Sequence, residues 1–265
     1  MPEPIRTVLV VGATGSIGRL VVAEALADGF AVRALVRDVR RASSLPAGAD
    51  VVVGELTDAA TLVDAVDGAD AVVFTHGSNG GGPSIAESVD YGAVHNVLQA
   101  LAGRRVRIAL MTAIGVTVHD GIFNQSSGVH DWKRRAERLV RASGNDYTIV
   151  RPGWFDYNGA DQHNLVLLQG DRRRAGNSSD GVIARRQIAQ VLVASLISPS
   201  AARTTFELVA ENGAAQADLE PVFAGLQVDT KGSLDGVRDL DNFPLPGQPA
   251  RVLADLEDVR SPVAE

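Results

Sequence analysis

A group of three glycines near the amino terminus has a spacing that suits a phosphate-binding turn. In the stretch GATGSIG they are Gly12, Gly15 and Gly18. An apolar run, Val8 to Val11, precedes them, and apolar residues at helical spacing follow. A glycine turn between a strand and a helix lets a pyrophosphate reach the helix N-terminus, where unpaired N–H groups and the helix dipole favour an anion. The stretch therefore predicts a dinucleotide site with Thr14 and Ser16 as hydroxyl donors, and the alternative is a turn that serves packing alone.

A basic group lies further along, where such a fold usually carries the residue that reads the ribose. The predicted second strand runs through AVRALVRDVRR and ends at Arg37, where a site for NAD would have an acidic side chain. Guanidinium groups bind a 2′-phosphate by charge and by paired hydrogen bonds. Asp38 is adjacent, and the other nearby arginines are Arg33, Arg40 and Arg41. The pattern favours NADP over NAD, and the alternative is a solvated basic turn.

The elements that would position these residues alternate between strands and helices. Strands are predicted at TVLVVG, AVRALV, ADVVVG, ADAVVFT, VRIALMT, YTIVRP and TTFELV. Their Val- and Ala-rich runs lack in-and-out alternation, as expected when helices cover both faces of a parallel sheet. Helices are predicted up to Asp28, from Asp58, and at 84–102, 129–143 and 183–197. We therefore predict a doubly wound α/β fold of the Rossmann type.

The region after Val209 departs from this rhythm. Two short helical patterns, Leu219 to Leu226 and Ala250 to Val259, flank a stretch rich in Gly and Pro. We predict a dinucleotide-binding domain over 1–210 and an extension over 211–265 that caps the substrate cleft, the two forming one structural unit. The glycine-rich loop from His76 to Ser84 is either a mobile lid or a surface connection. Three aspartates of the extension are interpreted as turn and cap residues: Asp235, Asp239 and Asp241.

Composition limits the class of protein. The chain has 265 residues, 45% of them hydrophobic, which is enough for the core of one domain. A net charge of -7 and the lack of a basic block make nucleic acid and anionic membranes poor candidate partners. There are no cysteines, and the scattered histidines do not have metal-ligand spacing, so no metal site is predicted. Since no apolar run has the length of a membrane span, we expect a cytoplasmic protein.

Several longer stretches resemble one family, the atypical short-chain dehydrogenase/reductases, close to the NmrA-like and flavin-reductase-like NAD(P)-binding proteins. The stretches are GATGSIGR, VVVGELTDAATLVDAVDGADAVV, VDYGAVHNVLQAL, KRRAERLVRASGNDYTIVRPGWF and ARRQIAQVLVASLISP. The resemblance extends from about Thr7 to about Val209. It implies a Rossmann core that binds the cofactor along the carboxyl ends of its strands.

The resemblance also implies roles for individual residues. On the pyrophosphate it places Gly12, Thr14, Gly15, Ser16, Ile17 and Gly18. The adenosine phosphate would contact Arg37, and the adenine would contact Glu55 and Leu56. The nicotinamide-side ribose would be lined by Thr75, His76 and Gly77. The nicotinamide amide would face the backbone of Pro152, Gly153, Trp154 and Phe155. The family's catalytic Ser/Thr and lysine are matched by Thr112 and Lys133.

The chain differs from the usual short-chain dehydrogenases at the tyrosine of their Tyr-x-x-x-Lys pair. Tyrosine and lysine at that spacing face the same site, one helical turn apart. Here the residue four positions before Lys133 is Val129, which has no proton to give. Replacement donors could be His130, about 100° further around the helix, or a tyrosine from another element, Tyr157 or Tyr91.

These features predict an NADPH-dependent oxidoreductase that transfers a hydride to a small aromatic, quinone-like or flavin-like acceptor. Such an acceptor forms a stabilised anion that solvent can protonate, so no strong protein acid is required. One alternative is a non-catalytic NADP-binding redox sensor. Another is a ketoreductase or isomerase of a biosynthetic pathway, in which His130 or a bound water replaces the phenol. The expected partner is a small-molecule substrate, and the sequence is compatible with an oligomer.

Overall fold

The computed structural model describes residues 4–260, which are built around a single sheet of ten strands. In chain order the strands are β1 (Thr7–Val11), β2 (Ala31–Val36), β3 (Asp50–Val53), β4 (Ala71–Phe74), β5 (Arg107–Met111), β6 (Asp146–Pro152), β7 (Trp154–Phe155), β8 (Asn164–Leu168), β9 (Val182–Ile183) and β10 (Thr204–Glu211). Their spatial order is β3-β2-β1-β4-β5-β6-β10-β9-β7, and β8 pairs with β10.

The seven predicted strands form the parallel part of this sheet, from β3 to β10. Strands β4 and β5 are buried along their whole length, because helices cover both faces. Their β-branched and apolar residues suit a pleated surface that is packed on both sides. The predicted doubly wound fold is confirmed.

Three short strands do not follow the predicted pattern. Strand β8 runs antiparallel to β10, and the two-residue strands β7 and β9 extend the sheet beyond it. Segments of two residues are too short to show a period of two, and no element was predicted for the residues of β8. These strands hold the segments that follow β6 close to the carboxyl end of the sheet.

Helices pack on both faces of the sheet. They are α1 (Gly18–Ala27), α2 (Val63–Val66), α3 (Pro83–Ile85), α4 (Gly92–Ala100), α5 (Ile122–Ser127), α6 (Val129–Ala142), α7 (Arg185–Ile197), α8 (Glu220–Ala224) and α9 (Ala250–Arg260). Helices α1 and α7 pack on one face of the sheet. Helices α4, α6 and α9 contribute to the hydrophobic core on the opposite face. Within residues 4–260, no helix combines the length and the apolar character needed to cross a bilayer.

Two predicted helices have a different local form. The helix expected from Asp58 is a 3-10 turn, Ala59–Leu62, followed by α2; the Asp58 side chain accepts the N–H of Ala60 at 3.0 Å. The helix expected at 84–102 consists of α3 and α4 joined by a π-helical segment, Ala86–Tyr91. Such π-helical turns are frequent at functional sites.

Buried charges attach the carboxyl-terminal segment to α6 and β6. Asp235 accepts hydrogen bonds from Arg134 and Arg138 of α6 at 3.1 Å. Asp239 accepts the Gly236 N–H, as expected of a turn residue, and also forms a two-pronged pair with the buried Arg151 at 2.7 Å. Two of the aspartates interpreted as turn residues are therefore also partners of buried arginines.

Candidate active site

The carboxyl ends of the parallel strands open into a cleft with a volume of about 1080 Å³. In the described part of the chain, the lining residues lie between Gly12 and Asp180. The carboxyl-terminal segment contacts α4, α6 and β8 instead. The domain division at residue 210 stays a prediction.

The glycine turn lies at the carboxyl end of β1, and its glycines have different surroundings. A Cβ atom on Gly18 would lie 2.1 Å from the Gly12 carbonyl oxygen, so Gly18 allows helix and strand to pack, and it lies outside the cleft lining. A Cβ on Gly15 would meet the same oxygen at 3.1 Å, and Gly15 lines the cleft, as do Gly12, Thr14, Ser16 and Ile17. Ile17 precedes α1 and has no polar side-chain atom to cap it. The N–H groups of Arg19 and Leu20 already donate to the carbonyls of Gly15 and Ile17. Those of Ser16, Ile17 and Gly18 have no partner among the described residues and can donate to an anion such as a pyrophosphate.

The arginines near the end of β2 separate into two sets. Arg37 and Arg41 are exposed and line the cleft. Arg40 pairs with Asp38, its Nη2 atom 2.6 Å from Oδ2, and Arg33 donates to the Asp67 carbonyl. Asp38, the acidic neighbour of Arg37, therefore has its carboxylate occupied by Arg40. Among the described residues near the end of β2, Arg37 and Arg41 are therefore the arginines that line the cleft.

The ends of β3 and β4 form the floor beside the glycine turn. Glu55 and Leu56 line the cleft, and the Leu56 carbonyl accepts a hydrogen bond from Asn96 at 2.7 Å. Thr75 donates its hydroxyl to the Val11 carbonyl at 3.0 Å, which joins the end of β4 to β1. His76 lines the cleft with a buried Nδ1 atom that has no partner among the described residues.

Burial has the largest effect on the pKa of His76. Burial lowers this pKa to about 4, although the charge of Asp90 opposes the effect. The imidazole is consequently neutral at neutral pH. From Gly77 to Gly80, the glycine-rich loop after β4 also lines the cleft.

An ion pair that the sequence reasoning missed lies in the middle of the cleft. Lys133 of α6 donates from Nζ to Oδ1 of Asp90 at 2.7 Å, and the Asp90 side chain is fully buried. The second carboxylate oxygen, Oδ2, has no partner among the described residues. A Cβ on Gly77 would lie 3.6 Å from Asp90 Oδ1 and 3.8 Å from Lys133 Nζ. The pair is thus adjacent to a part of the floor that has no side chain.

The pairing left no signal in the spacing of the sequence, because the two residues are 43 positions apart. Asp90 lies in the π-helical segment between α3 and α4. The quoted stretch VDYGAVHNVLQAL begins with Val89 and Asp90, both of which line the cleft. The position of Asp90 in a stretch that resembles the family was the signal that could have identified it as a residue of the cleft.

The candidate proton donors differ in what they can supply. Thr112 lines the cleft, but its hydroxyl donates to Oε1 of Glu137 at 2.7 Å, so this proton is directed into the protein interior. His130 lines the cleft, its Nδ1 atom is buried without a described partner, and burial lowers the pKa of His130. Val129 also lines the cleft. A neutral imidazole at His130 is a weak acid near neutral pH.

The tyrosines considered as substitutes lie outside the described lining of the cleft. Tyr91 is fully buried and donates its hydroxyl to Asp255 of α9 at 2.7 Å, and burial strongly raises the pKa of Tyr91. Tyr157 is 67% exposed and packs edge-on against Trp154. Neither tyrosine therefore belongs to the described lining that contains Val129.

The segment after β6 forms one wall of the cleft, as the resemblance implied. Its lining residues are Pro152, Gly153, Trp154 and Phe155. The Gly153 N–H donates to the Leu208 carbonyl, and the Trp154 N–H donates to the Gly181 carbonyl, both at 2.9 Å. Since the sheet uses these two N–H groups, the wall presents mainly side-chain and carbonyl surface. Arg185 lies over the Phe155 ring and also donates to the Ser16 hydroxyl at 3.1 Å.

The side of the cleft near β5 is largely apolar. It is lined by Ile85, Val89, Ile114, Val118, Ile122 and Val129. Ile122 is 73% exposed and Ile85 42% exposed. Exposed apolar side chains at the edge of a cleft are typical of a binding site for an apolar ligand.

The strand order and the glycine turn together define a dinucleotide-binding protein of the Rossmann type, with its cleft where the order of strands reverses between β1 and β4. Residues 12–199 match the model of a family described as NAD(P)H-binding, and the chain belongs to that family. The resemblance to the atypical short-chain dehydrogenase/reductases is confirmed.

Individual relatives include a chloroplast protein and a reductase. The chain is 31% identical over 218 residues to protein TIC 62 of Oryza sativa subsp. japonica, a match that spans 70% of this chain and 42% of the rice protein. It is 26% identical over 242 residues to sanguinarine reductase of Eschscholzia californica, spanning 76% of this chain and 88% of the reductase. A solved structure from Bacillus halodurans, provisionally described as an NAD-dependent epimerase/dehydratase, superposes with a TM-score of 0.68 at 24% identity and covers 83% of this chain and 99% of that one.

Proposed function

We propose that the protein is an NADPH-dependent reductase that transfers a hydride to a flat aromatic, quinone-like or flavin-like acceptor. The observation that carries the proposal is the chemistry of the cleft near β5, whose described lining includes a group of apolar side chains and contains no tyrosine. An apolar site suits an unsaturated ring. The lack of a phenol suits an acceptor whose reduced form is a stable anion.

The layout of the cleft supports this orientation. Arg37 lies at the end of β2, and Thr112 follows β5, three strands away in the sheet. Three strand spacings correspond to about 14 Å, which is the scale of an extended dinucleotide. The adenosine phosphate would lie at Arg37 and Arg41, the pyrophosphate at the first turn of α1, and the nicotinamide near β5. The two free arginines are our reason for preferring NADPH to NADH.

The bound nicotinamide supplies the hydride, and the residues of this chain position it. The Lys133 ammonium, held by Asp90, would donate to the hydroxyls of the nicotinamide-side ribose. His76 beside it is neutral and adds no second positive charge. The reaction balances as one hydride from NADPH and one proton from solvent added to a quinone, giving NADP⁺ and a hydroquinone. A general acid among the side chains is therefore not required.

Sanguinarine reductase, a relative by sequence, is named for reduction of an organic acceptor. The name supports a reductase, and the acceptor of this chain stays a proposal. Localisation in the cytoplasm is likewise proposed from the sequence alone.

The test is steady-state oxidation of NADPH with a panel of quinones and flavins. His130→Ala and Thr112→Ala should each reduce kcat modestly, well short of the roughly 10²–10⁴-fold loss that follows removal of a general acid. Lys133→Ala should raise KM for NADPH and lower kcat together, because a ribose contact and a nearby positive charge are both lost.

Two results would replace the proposal. Tight NADPH binding without turnover of any acceptor would favour a redox sensor. A thousand-fold loss in His130→Ala alone would show that a histidine acts as the acid, which favours a ketoreductase.

A further inference from the structure

Three consecutive arginines follow β8, and each has different surroundings. Arg173 pairs with Glu211 at 3.1 Å. Arg172 lines a separate cavity of about 330 Å³ and lies outside the described lining of the main cleft. Arg174 lines the main cleft and is exposed. Arg174 is thus the member of the three that can contact a ligand in the cleft.

The guanidinium of Arg174 has unused donors. Its Nε atom donates to the Asp171 carbonyl at 3.0 Å, and no carboxylate within residues 4–260 forms an ion pair with it. A guanidinium has five N–H groups, so four of them are available to a ligand. The bond at Nε fixes the base of the group, and neither Nη atom has a partner among the described residues.

The segment that carries Arg174 is organised before any ligand binds. Asp180 accepts the N–H groups of Ala175 and Gly176, both at 2.7 Å, which closes the loop. Asp171 is fully buried and accepts the N–H groups of Gly115 and Thr117 at 2.7 and 2.8 Å. These bonds fasten the loop to the chain that follows β5. A fastened loop loses little conformational entropy when its arginine binds an anion.

The position of Arg174 separates it from the adenosine end of the cofactor. Its anchor Asp171 is bonded to the segment after β5, and a Cβ on Gly115 would lie 3.6 Å from the His130 ring. The arginines near the end of β2 lie three strands away, about 14 Å by strand spacing. An anion at Arg174 would consequently belong to the acceptor and not to the 2′-phosphate.

We propose that Arg174 determines specificity for acceptors that carry an acidic group, a carboxylate, sulfonate or phosphate, on an unsaturated ring system. This inference rests on the proposed reductase function and names its substrate class. The apolar side chains Ile114, Val118 and Ile122 would contact the ring, while the guanidinium binds the acid by charge-assisted hydrogen bonds. Asp90 and Asp180, two acidic side chains of the lining, are already used by Lys133 and by the loop backbone, so they do not compete for Arg174.

The experiment compares two acceptors that share a ring and differ in charge, 1,4-naphthoquinone and 1,4-naphthoquinone-2-sulfonate, with NADPH as donor. The readout is kcat/KM for the sulfonate divided by kcat/KM for the uncharged quinone. Comparing this ratio between a variant and the wild type cancels the intrinsic reactivity of each quinone. Arg174→Gln should reduce the preference for the sulfonate about tenfold, as for a lost hydrogen bond to a charged group. Arg172→Gln is the matched control, because that arginine lies on the same loop and outside the described lining of the main cleft; its ratio should equal that of the wild type.

A second measurement keeps the inference separate from the reductase proposal. Binding of naphthalene-2-sulfonate, which cannot be reduced, to the NADP⁺-loaded protein should weaken about tenfold in Arg174→Gln and remain unchanged in Arg172→Gln. If neither quinone is reduced but this binding pattern holds, the reductase proposal fails and the anion site stands. Equal ratios and equal affinities in the wild type and Arg174→Gln would overturn the assignment of Arg174.

Discussion

At the end of β2, the partners of each arginine decide which one can bind a phosphate. Arg37 and Arg41 line the cleft, whereas Arg40 is occupied by Asp38 and Arg33 by the Asp67 carbonyl. The sequence placed all four in one basic cluster, and it could not show that Arg40 pairs with Asp38. The Arg40 side chain is 87% exposed, and exposed ion pairs are weak, so the pair reduces but does not abolish the ability of Asp38 to accept a ribose hydroxyl, which is how an acidic residue would favour NAD.

Replacement of Arg37 tests the cofactor preference. Arg37→Ala should weaken NADPH binding by about 1.5–3 kcal/mol, the cost of a lost hydrogen bond to a charged group, with little effect on NADH. Isothermal titration calorimetry measures both affinities. Arg33→Ala is the control, since Arg33 lies in β2, four positions before Arg37, and outside the described lining of the cleft. Equal affinity of the wild type for the two cofactors would contradict the preference.

Replacement of Gly15 tests the phosphate-binding turn. Gly15→Val should abolish measurable dinucleotide binding while the protein stays folded, because the added side chain would occupy the approach to α1. The added Cβ itself meets the Gly12 oxygen at 3.1 Å, which a small backbone shift relieves. Gly247→Val is a matched control, since a Cβ there meets nothing within 4 Å and Gly247 lies outside the described cleft lining. Circular dichroism checks folding and calorimetry checks binding, and retained affinity would mean that the turn serves packing alone.

Among the elements, the π-helical segment and α6 meet through the Asp90–Lys133 pair. Asp90→Asn should raise KM for NADPH about tenfold or more, since the neutral amide holds the ammonium less firmly and a hydrogen bond between charged groups is worth about 1.5–3 kcal/mol. Glu87→Gln is the control, because Glu87 lies in the same segment and pairs with Arg251 at 3.1 Å on the surface. A change in thermal stability without a change in KM would assign Asp90 a structural role only.

The parallel sheet could be predicted because its central strands are buried on both faces and read as unbroken apolar runs. Strands β7, β8 and β9 could not, since β7 and β9 have two residues each and the pairing of β9 depends on contacts distant in sequence, such as Ala210 with Val182. The π-helical form of Ala86–Tyr91 was also missed. A helical pattern predicts the presence of a helix but does not distinguish its hydrogen-bond register.

In the candidate site too, features set by the local sequence could be predicted, whereas contacts between residues far apart in the sequence could not. The glycine turn and Arg37 were found because each has a fixed place relative to a strand end. The partners of the predicted residues were not found: Asp90 for Lys133, Glu137 for Thr112 and Asp255 for Tyr91. Each of these contacts joins segments that come together only in the folded chain. They nevertheless decide which hydroxyl or amine can act in the cleft.

In the whole molecule, a buried cluster of charges connects the sheet, α6 and the carboxyl-terminal segment. Arg151 of β6 pairs with Glu137, Asp239 and Glu207. Burial raises the pKa of Glu207 to about 7, an effect that the charge of Arg151 opposes. The cluster therefore contains a carboxyl group that takes up a proton in the folded state near neutral pH. His76, in the cleft, is the opposite case, because it resists protonation in the folded state.

These two groups make opposite contributions to the pH dependence of stability. Folded Glu207 binds its proton near pH 7, while in the unfolded chain it does so near 4.5, so acidification from pH 7 to 4.5 stabilises the fold through this group. Unfolded His76 binds a proton near pH 6.5 and folded His76 only near pH 4, so acidification over that window destabilises the fold. Each slope has a limit of about 1.4 kcal/mol per pH unit, the value for one proton. The contributions oppose each other between about pH 4.5 and 6.5.

Removing one group at a time should reveal the other, and this is tested by urea unfolding at intervals between pH 4.5 and 6.5. Relative to the wild type, Glu207→Gln should lose free energy of unfolding progressively as the pH falls, because the stabilising proton uptake is gone. His76→Asn should gain free energy of unfolding relative to the wild type over the same window. His130, whose pKa burial also lowers, is present in both proteins, so its contribution cancels in this difference. Differences from the wild type that do not change with pH in either variant would show that neither group titrates differently in the folded protein.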